Sequence, residues 1–283
     1  MLTESYQIRH FTGHQFQSSD KTCLSLYLAP NTFVYAVSLS GFNEVFELGH
    51  MDFNPASAMQ AEEKLSFFLR NFLLHKRSFE KVVVSVLNTD FTLLPLSFGT
   101  EQDVKDYLMF SNGDISGKHV FSHRIGDFRF CYALDADLRQ LLEKTFNAVL
   151  IRHAGAINLS LFFDHRSFST ASAALFVGEK VMEIALKKND KLVYYNVLNW
   201  SGTEDVLYYL LFAFEQFGFD PLSSPLLISG EFALDSELFK TLKKYVKHVH
   251  PVVTGQPVKL HKELAQLPGH FYFTLLNQHT CGL

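Results

Sequence analysis

Residues 173–231 read AALFVGEK VMEIALKKND KLVYYNVLNW SGTEDVLYYL LFAFEQFGFD PLSSPLLISG E. The run 173–177 is apolar and predicts a strand. Gly178-Glu179 turns the chain, 181–187 returns, Asn189-Asp190 turns it again, and 192–197 makes a third strand. Ser201-Gly202-Thr203-Glu204 then fits a capping box, in which Ser and Glu side chains satisfy each other's backbone N–H groups. Val206, Leu210, Phe214 and Phe217 recur at helical spacing as a buried stripe, and Gly218 is a natural stop. Residues 225–229 predict the buried strand, apolar from Pro225 to Ile228 as in a strand covered on both faces, and run into Ser229-Gly230-Glu231.

The same order, βββαβ, occurs earlier between residues 23 and 88. Leu24 to Leu28 is a strand, Pro30-Asn31 a turn, and 32–39 a β-branched and aromatic return. Ser40-Gly41 turns into a third strand over 43–53. Asn54-Pro55 suits a helix start, and Ala58, Ala61, Leu65, Phe68 and Phe72 line one face as far as His75. Residues 81–87, Lys-Val-Val-Val-Ser-Val-Leu, predict the buried strand. The core is expected to include Val83, Val84, Val86, Leu226, Leu227 and Ile228.

The expected fold class is α/β, with two similar halves facing across a cleft. Each half is a mixed five-stranded sheet with flanking helices. Residues 1–20 read as a polar tail with one edge strand near 6–11. The first half covers 21–165 and the second 166–283. The stretch 89–134 breaks the repeat and reads as an inserted subdomain of strand, helix, Gly-containing loop and two strands. Asp135 caps a following helix, 148–151 is a short buried strand, and 154–163 is a helix opening on the small residues Ala154-Gly155-Ala156. Asp235 to Lys247 predicts an amphipathic helix with Leu238, Leu242, Tyr245 and Val246 inward and Lys240, Lys243, Lys244 and Lys247 outward. Three prolines interrupt the tail beyond Val249, where a short strand, a loop and an element near 270–276 are expected.

Composition bounds the function classes. Hydrophobic residues make up 47% of 283, with 29 Phe and 11 Tyr, so disorder is excluded and a sizeable core is available. A net charge of −4 is too mild to steer the chain to nucleic acid. No uncharged apolar run approaches the ~18 residues of a membrane span. The opening residues lack the basic and apolar regions of a secretory signal, and Cys23, Cys131 and Cys281 are far apart and odd in number. A reducing cytoplasm is the expected compartment. His10 and His14, His119 and His123, and His248-Val249-His250 have spacings that a metal could use. No carboxylate or Cys cluster joins them, so no metal site is predicted. Cys131 sits in an apolar strand and reads as a core residue.

The two βββαβ copies, and the strand and small-residue helix at 150–163, resemble the actin-like ATPase superfamily, an RNase H-like fold that includes sugar kinases and Hsp70-type chaperones. Over about 21–283 the chain resembles an uncharacterised family of Bacteroidota proteins assigned that fold. In active members an acidic, glycine-containing turn between the first two strands of each half holds Mg²⁺ and phosphates. Here the first turn is Leu28-Ala29-Pro30-Asn31-Thr32, without Asp or Gly, and Pro30 removes a backbone donor. The second, Phe176-Val177-Gly178-Glu179-Lys180, keeps one Gly and one acid in another order. Ser229-Gly230-Glu231 partly matches the glycine-containing adenosine turn. The resemblance therefore implies that any ATP and magnesium would meet Asn31, Gly178, Glu179, Ser229, Gly230 and Glu231. The plainer readings are a hairpin in which Gly178 supplies an unusual backbone angle, and a structural glycine at Gly230.

No catalytic residue follows from this pattern. The leading expectation is a non-hydrolysing binding module or scaffold with an unidentified protein partner and no cofactor. The alternatives are a divergent nucleotide-binding ATPase or kinase, and a small-molecule sensor using the cleft.

Overall fold

The computed structural model describes residues 6–12, 21–40, 44–98, 100–164, 172–252, 259–262 and 264–279. Gly41, Pro257, Cys281, His14 and the expected boundary at 165–170 lie outside them. The chain forms two compact units. The first comprises Met1–Ile157, Val258–Gln266 and Gln278–Leu283; the second comprises Asn158–Pro257 and Leu267–Asn277.

In the first unit β1 (Tyr6–Thr12), β2 (Thr22–Leu28), β3 (Thr32–Leu39), β4 (Glu44–Phe53), β5 (Lys81–Val86), β9 (Val149–His153) and β15 (Lys259–Leu260) share one sheet. Its order is β1-β4-β3-β2-β5-β9, with β15 also on β4. β2, β3 and β4 are antiparallel neighbours; β5 runs parallel to β2 and β9 parallel to β5. The expected five strands are thus seven. β1 covers the edge of β4 in register from Tyr6↔Phe53 to Thr12↔Glu47, and pairing satisfies an edge that would otherwise be open.

The second unit holds β10 (Ala173–Val177), β11 (Val181–Lys188), β12 (Lys191–Asn199), β13 (Leu226–Gly230) and β14 (Val249–Pro251) in the order β12-β11-β10-β13-β14. β10, β11 and β12 are antiparallel, and β13 is parallel to β10. Strand for strand this is the β4-β3-β2-β5-β9 arrangement of the first unit.

Each sheet is backed by the helix its sequence spacing predicts, with differences at the ends. α1 spans Ala61–Asn71, starting later than Asn54-Pro55, because Asn54 Oδ1 instead accepts the Ala56 N–H at 2.9 Å in a local turn. Leu65 and Phe68 bury fully against Leu26, Val84 and Tyr35, worth about 2–3 kcal/mol per side chain. α5 spans Thr203–Phe217 and closes on Gly218 in the left-handed conformation. The carboxylate at its start is Asp205 rather than Glu204: its Oδ2 accepts from Ser201 N–H and Oγ at 2.8 and 2.6 Å. Val206, Leu210 and Phe214 are buried, with Ala213 filling the last turn; Phe217 is instead exposed beside Tyr194.

α6 is Glu237–Tyr245, capped by Ser236, and Tyr245 points outward. Val83, Val84, Val86, Leu226 and Ile228 are buried, but Leu227 is only partly so, since it alternates away from the α5 side of its strand. Leu150, expected in a buried strand, is exposed, and β9 is covered only at its Arg152–His153 end.

Between β5 and β9 the chain builds a small layer of its own. β6 (Phe91–Pro95), β7 (Lys118–Ile125) and β8 (Phe128–Asp135) form a sheet in the order β6-β8-β7. α2 (Glu101–Asn112) packs Val104 and Leu108 onto Leu94 and Cys131. Asp135 caps α3 (Ala136–Thr145), and α4 (Ala154–Asp164) follows β9. α7 (Phe273–Asn277) belongs to the second unit.

Candidate functional site at the strand ends

Parallel strands align their carboxyl ends, and open α/β sheets bind ligands there. In the first unit these ends are Leu28, Val86 and His153; in the second they are Val177, Gly230 and Pro251.

Asn31 lies in the turn after β2. Ala29 N–H donates to Thr32 O at 2.9 Å, closing a tight hairpin, and Asn31 O accepts from Phe53 N–H at 2.7 Å. The side chain that fills the turn comes from α1. Lys64 Nζ donates to Pro30 O at 2.9 Å and to Asn31 Oδ1 at 3.1 Å, and stands 5.7 Å from the Phe53 ring centroid. Lys64 is 8% exposed, and burial lowers its pKa from the ordinary lysine value. On β4, Asp52 Oδ1 accepts from Thr32 Oγ1 at 2.9 Å and from His50 Nε2 at 2.7 Å. Burial raises the Asp52 carboxyl, but His50, Thr32 and Arg9 outweigh burial and hold it below the usual carboxylate range.

At the end of β9, His153 caps α4. Its Nδ1 accepts the Gly155 N–H at 3.0 Å, which places the proton on Nε2, and Nε2 donates to Asn88 O at 3.1 Å. Phe91, Phe130 and Tyr132 surround the ring. Burial drives its pKa down to about 3, so the imidazole is neutral and both nitrogens are used within the fold.

The other five sequence-predicted residues lie in the second unit, where the pairing Val177↔Gly230 brings Gly178, Glu179, Gly230 and Glu231 to one edge. Gly178 N–H donates to Val181 O at 2.8 Å, and Gly178 O accepts from Trp200 Nε1 at 3.1 Å. Gly178 is not among the positive-φ glycines, so its place reflects a tight hairpin rather than an unusual angle. Gly230 is different. Its φ is +119°, and a Cβ there would fall 1.9 Å from Val177 O. Its N–H donates to His270 O at 2.9 Å, while His270 Nε2 donates to Phe232 O at 2.9 Å. Ser229 is buried within β13 opposite Phe176, inside the sheet rather than at its edge.

Sequence reasoning missed Lys64, Asp52, His153, Trp200 and His270. Lys64 carried a signal, since a lysine at position 64 interrupts the apolar face formed by 61, 65 and 68. The others lacked one, because their partners are set by tertiary contacts.

Among the described residues no three His, Cys, Asp or Glu side chains converge as metal ligands would. His123 Nε2 meets Tyr132 Oη at 3.1 Å, and His10 Nε2 meets Tyr35 Oη at 3.1 Å. Cys131 is fully buried, and burial pushes its thiol up to about 11, as for a core residue.

The class defined by this frame is the actin-like ATPase fold. A Bacteroides thetaiotaomicron protein described as having that fold and unknown function superposes with a TM-score of 0.70 at 16% identity, covering 84% of this chain and 93% of its own. A chain of the PilM–PilN type IV pilus biogenesis complex superposes with a TM-score of 0.62 at 13% identity, over 90% of this chain and 98% of its own. At these identities the likeness is one of fold. No curated protein matches the chain in sequence. The chain belongs to the family described as Protein of unknown function (DUF3822), which matches residues 13–249.

Proposed function

We propose that this protein is a binding module or scaffold that retains the actin-like frame and does not hydrolyse nucleotide. The observation that carries the reading is Lys64. Its ammonium sits in the turn where the resemblance would place phosphate and metal, and it already bonds Pro30 O and Asn31 Oδ1. That ammonium would disfavour a divalent cation in the same turn, and it would have to give up both bonds before it could serve a phosphate. In the second unit the Gly178 amide and carbonyl and the Gly230 amide are likewise engaged within the chain. In-line phosphoryl transfer gains most of its rate from a positioned metal and oriented donors.

A protein partner is supported by the appearance of the same fold within the PilM–PilN complex. No helix among the described residues is long and apolar enough to cross a membrane.

The test is calorimetry and a thermal-shift screen with Mg-ATP, Mg-GTP and ADP, alongside a phosphate-release assay. Ligand at ~100 times its dissociation constant would stabilise by about 2.7 kcal/mol. The expected result is no metal-dependent turnover above background. Turnover that disappears in Glu179→Gln would overturn the proposal in favour of a rearranged nucleotide site.

A further inference from the structure

α5 carries two apolar stripes. The inner one, Val206, Leu210 and Phe214, is buried. The outer one passes through Tyr208, Leu211 and Phe212, and with Tyr245 of α6 it lines a surface groove of about 470 Å³. Tyr208 is 62% exposed, Phe212 48% and Tyr245 45%. Tyr208 and Phe212 stack with centroids 6.0 Å apart. A helix that is apolar all round is normally covered all round, and clustered exposed aromatics are the composition of interface centres.

Charge selects the occupant. Glu204 and Glu215 stand on the α5 wall of the groove, and Lys244 stands on the α6 wall. Lys240, Lys243 and Lys247 are exposed on or next to α6 but do not line the groove, so Lys244 is the cation of that wall. An occupant of uniform charge would be repelled by one wall or the other. A second copy of this chain would not. A two-fold axis lying along the groove, in the plane of contact, sets α5 of each copy against α6 of the other. The glutamate wall of one then faces the Lys244 wall of its mate, and the aromatic rings meet between them. A closed two-fold contact requires this self-complementarity.

We propose that the α5–α6 groove is a self-association surface, occupied by the same groove of a second copy.

The test is analytical ultracentrifugation of the full chain from about 1 to 100 μM, a range that brackets a micromolar dissociation constant. A monomer–dimer equilibrium that weakens with added salt is expected. Phe212→Asp should raise the dissociation constant about 30-fold or more, as loss of a central aromatic does. Lys244→Glu alone should raise it about tenfold. Adding Glu204→Lys and Glu215→Lys to Lys244→Glu should restore association, because both walls are then reversed together.

These side chains are exposed, so circular dichroism and melting should match the parent chain. Should Phe212→Asp not fold, Tyr208→Ser serves in its place. A chain that stays monomeric over the whole range overturns the proposal and leaves the groove to a different protein. So does a dimer indifferent to Phe212→Asp, or a triple reversal that fails to recover.

Discussion

Replacing Gly230 by alanine should destabilise the second unit by on the order of 3–5 kcal/mol. The number comes from two sources. First, φ at Gly230 is +119°, and a side-chained residue held in such a region costs about 1–3 kcal/mol. Second, the new Cβ would lie 1.9 Å from Val177 O, 2.8 Å from Val177 C and 2.9 Å from Val177 N. All three are backbone atoms of the neighbouring strand, so no side chain can rotate away. β10 and β13 would have to part by roughly 1.5 Å to reach ordinary contact. That movement loosens the bonds from Gly230 N–H to His270 O at 2.9 Å and from Glu231 N–H to Val177 O at 3.3 Å, each worth about 1 kcal/mol net. For a cooperative unit on the order of 100 residues, such a loss lowers Tm by about 15 °C or more. The assay is equilibrium urea unfolding with far-UV circular dichroism, together with a thermal melt. Gly178→Ala is the companion, because its Cβ would meet only Val181 O, at 3.1 Å and with no positive φ, so a loss of about 1 kcal/mol or less is expected. A Gly230→Ala variant within about 1 kcal/mol of the parent, at unchanged m-value, would refute the steric account.

Burial raises the Glu183 carboxyl to about 7, against the lowering by hydrogen bonds from Tyr195 Oη and Asn158 Nδ2, both at 2.7 Å. The folded state therefore holds its proton more tightly than the unfolded chain, and stability should fall as pH rises from about 4.5 to about 7, by about 3 kcal/mol in all. Glu183→Gln should flatten that slope in urea melts taken across the window; an unchanged slope would contradict it. Val84→Asp puts a carboxylate at a site with no solvent exposure and should abolish soluble expression, so normal yield and melting would show that β5 is not covered as described.

The frame was legible because turns, caps and apolar runs are local signals. Gly178-Glu179, Asn189-Asp190 and Gly218 each end an element where the chain does turn. The apolar run 225–228 marked the strand that β13 makes beside β10. Boundaries failed where a polar side chain had two uses. Asn54 can cap a helix or close a local turn, and it closes the turn; at the start of α5, Glu204 and Asp205 are both within reach, and Asp205 is used. The edge strand expected near 6–11 is present as β1, although its seven exposed or half-exposed residues gain their order from the edge of β4 rather than from their own pattern. Of the candidate site, the positions of the turns were readable and their chemistry was not. Nothing near Asn31 in sequence announces Lys64, 33 residues away. His270, 40 positions past Gly230, could not be placed against it by spacing.

The two sheets also show how one topology can serve different chemistry. Each buries a tyrosine–glutamate pair set diagonally across its second and third strands: Tyr35 on β3 with Glu47 on β4, and Tyr195 on β12 with Glu183 on β11. In the first, Arg77 Nη1 donates to both Glu47 oxygens at 3.0 and 2.9 Å, so the carboxylate has a cation beside it, and burial with Glu47 raises the Tyr35 phenol. In the second, the carboxyl meets the neutral donors Asn158 and Tyr195, and Asn158 is held in turn by Thr274 at 2.7 Å. With no paired cation among these donors, burial lifts the Glu183 carboxyl to about 7. The strand ends follow the same logic. Lys64 satisfies the turn at Asn31 with charge, while Trp200 and His270 satisfy those at Gly178 and Gly230 with neutral groups. A nucleotide would have to displace bonds already made at each turn, whereas the outer face of α5 offers an occupant open aromatic surface with nothing to displace. Binding by this protein is therefore easier to place on that face than at the strand-end turns.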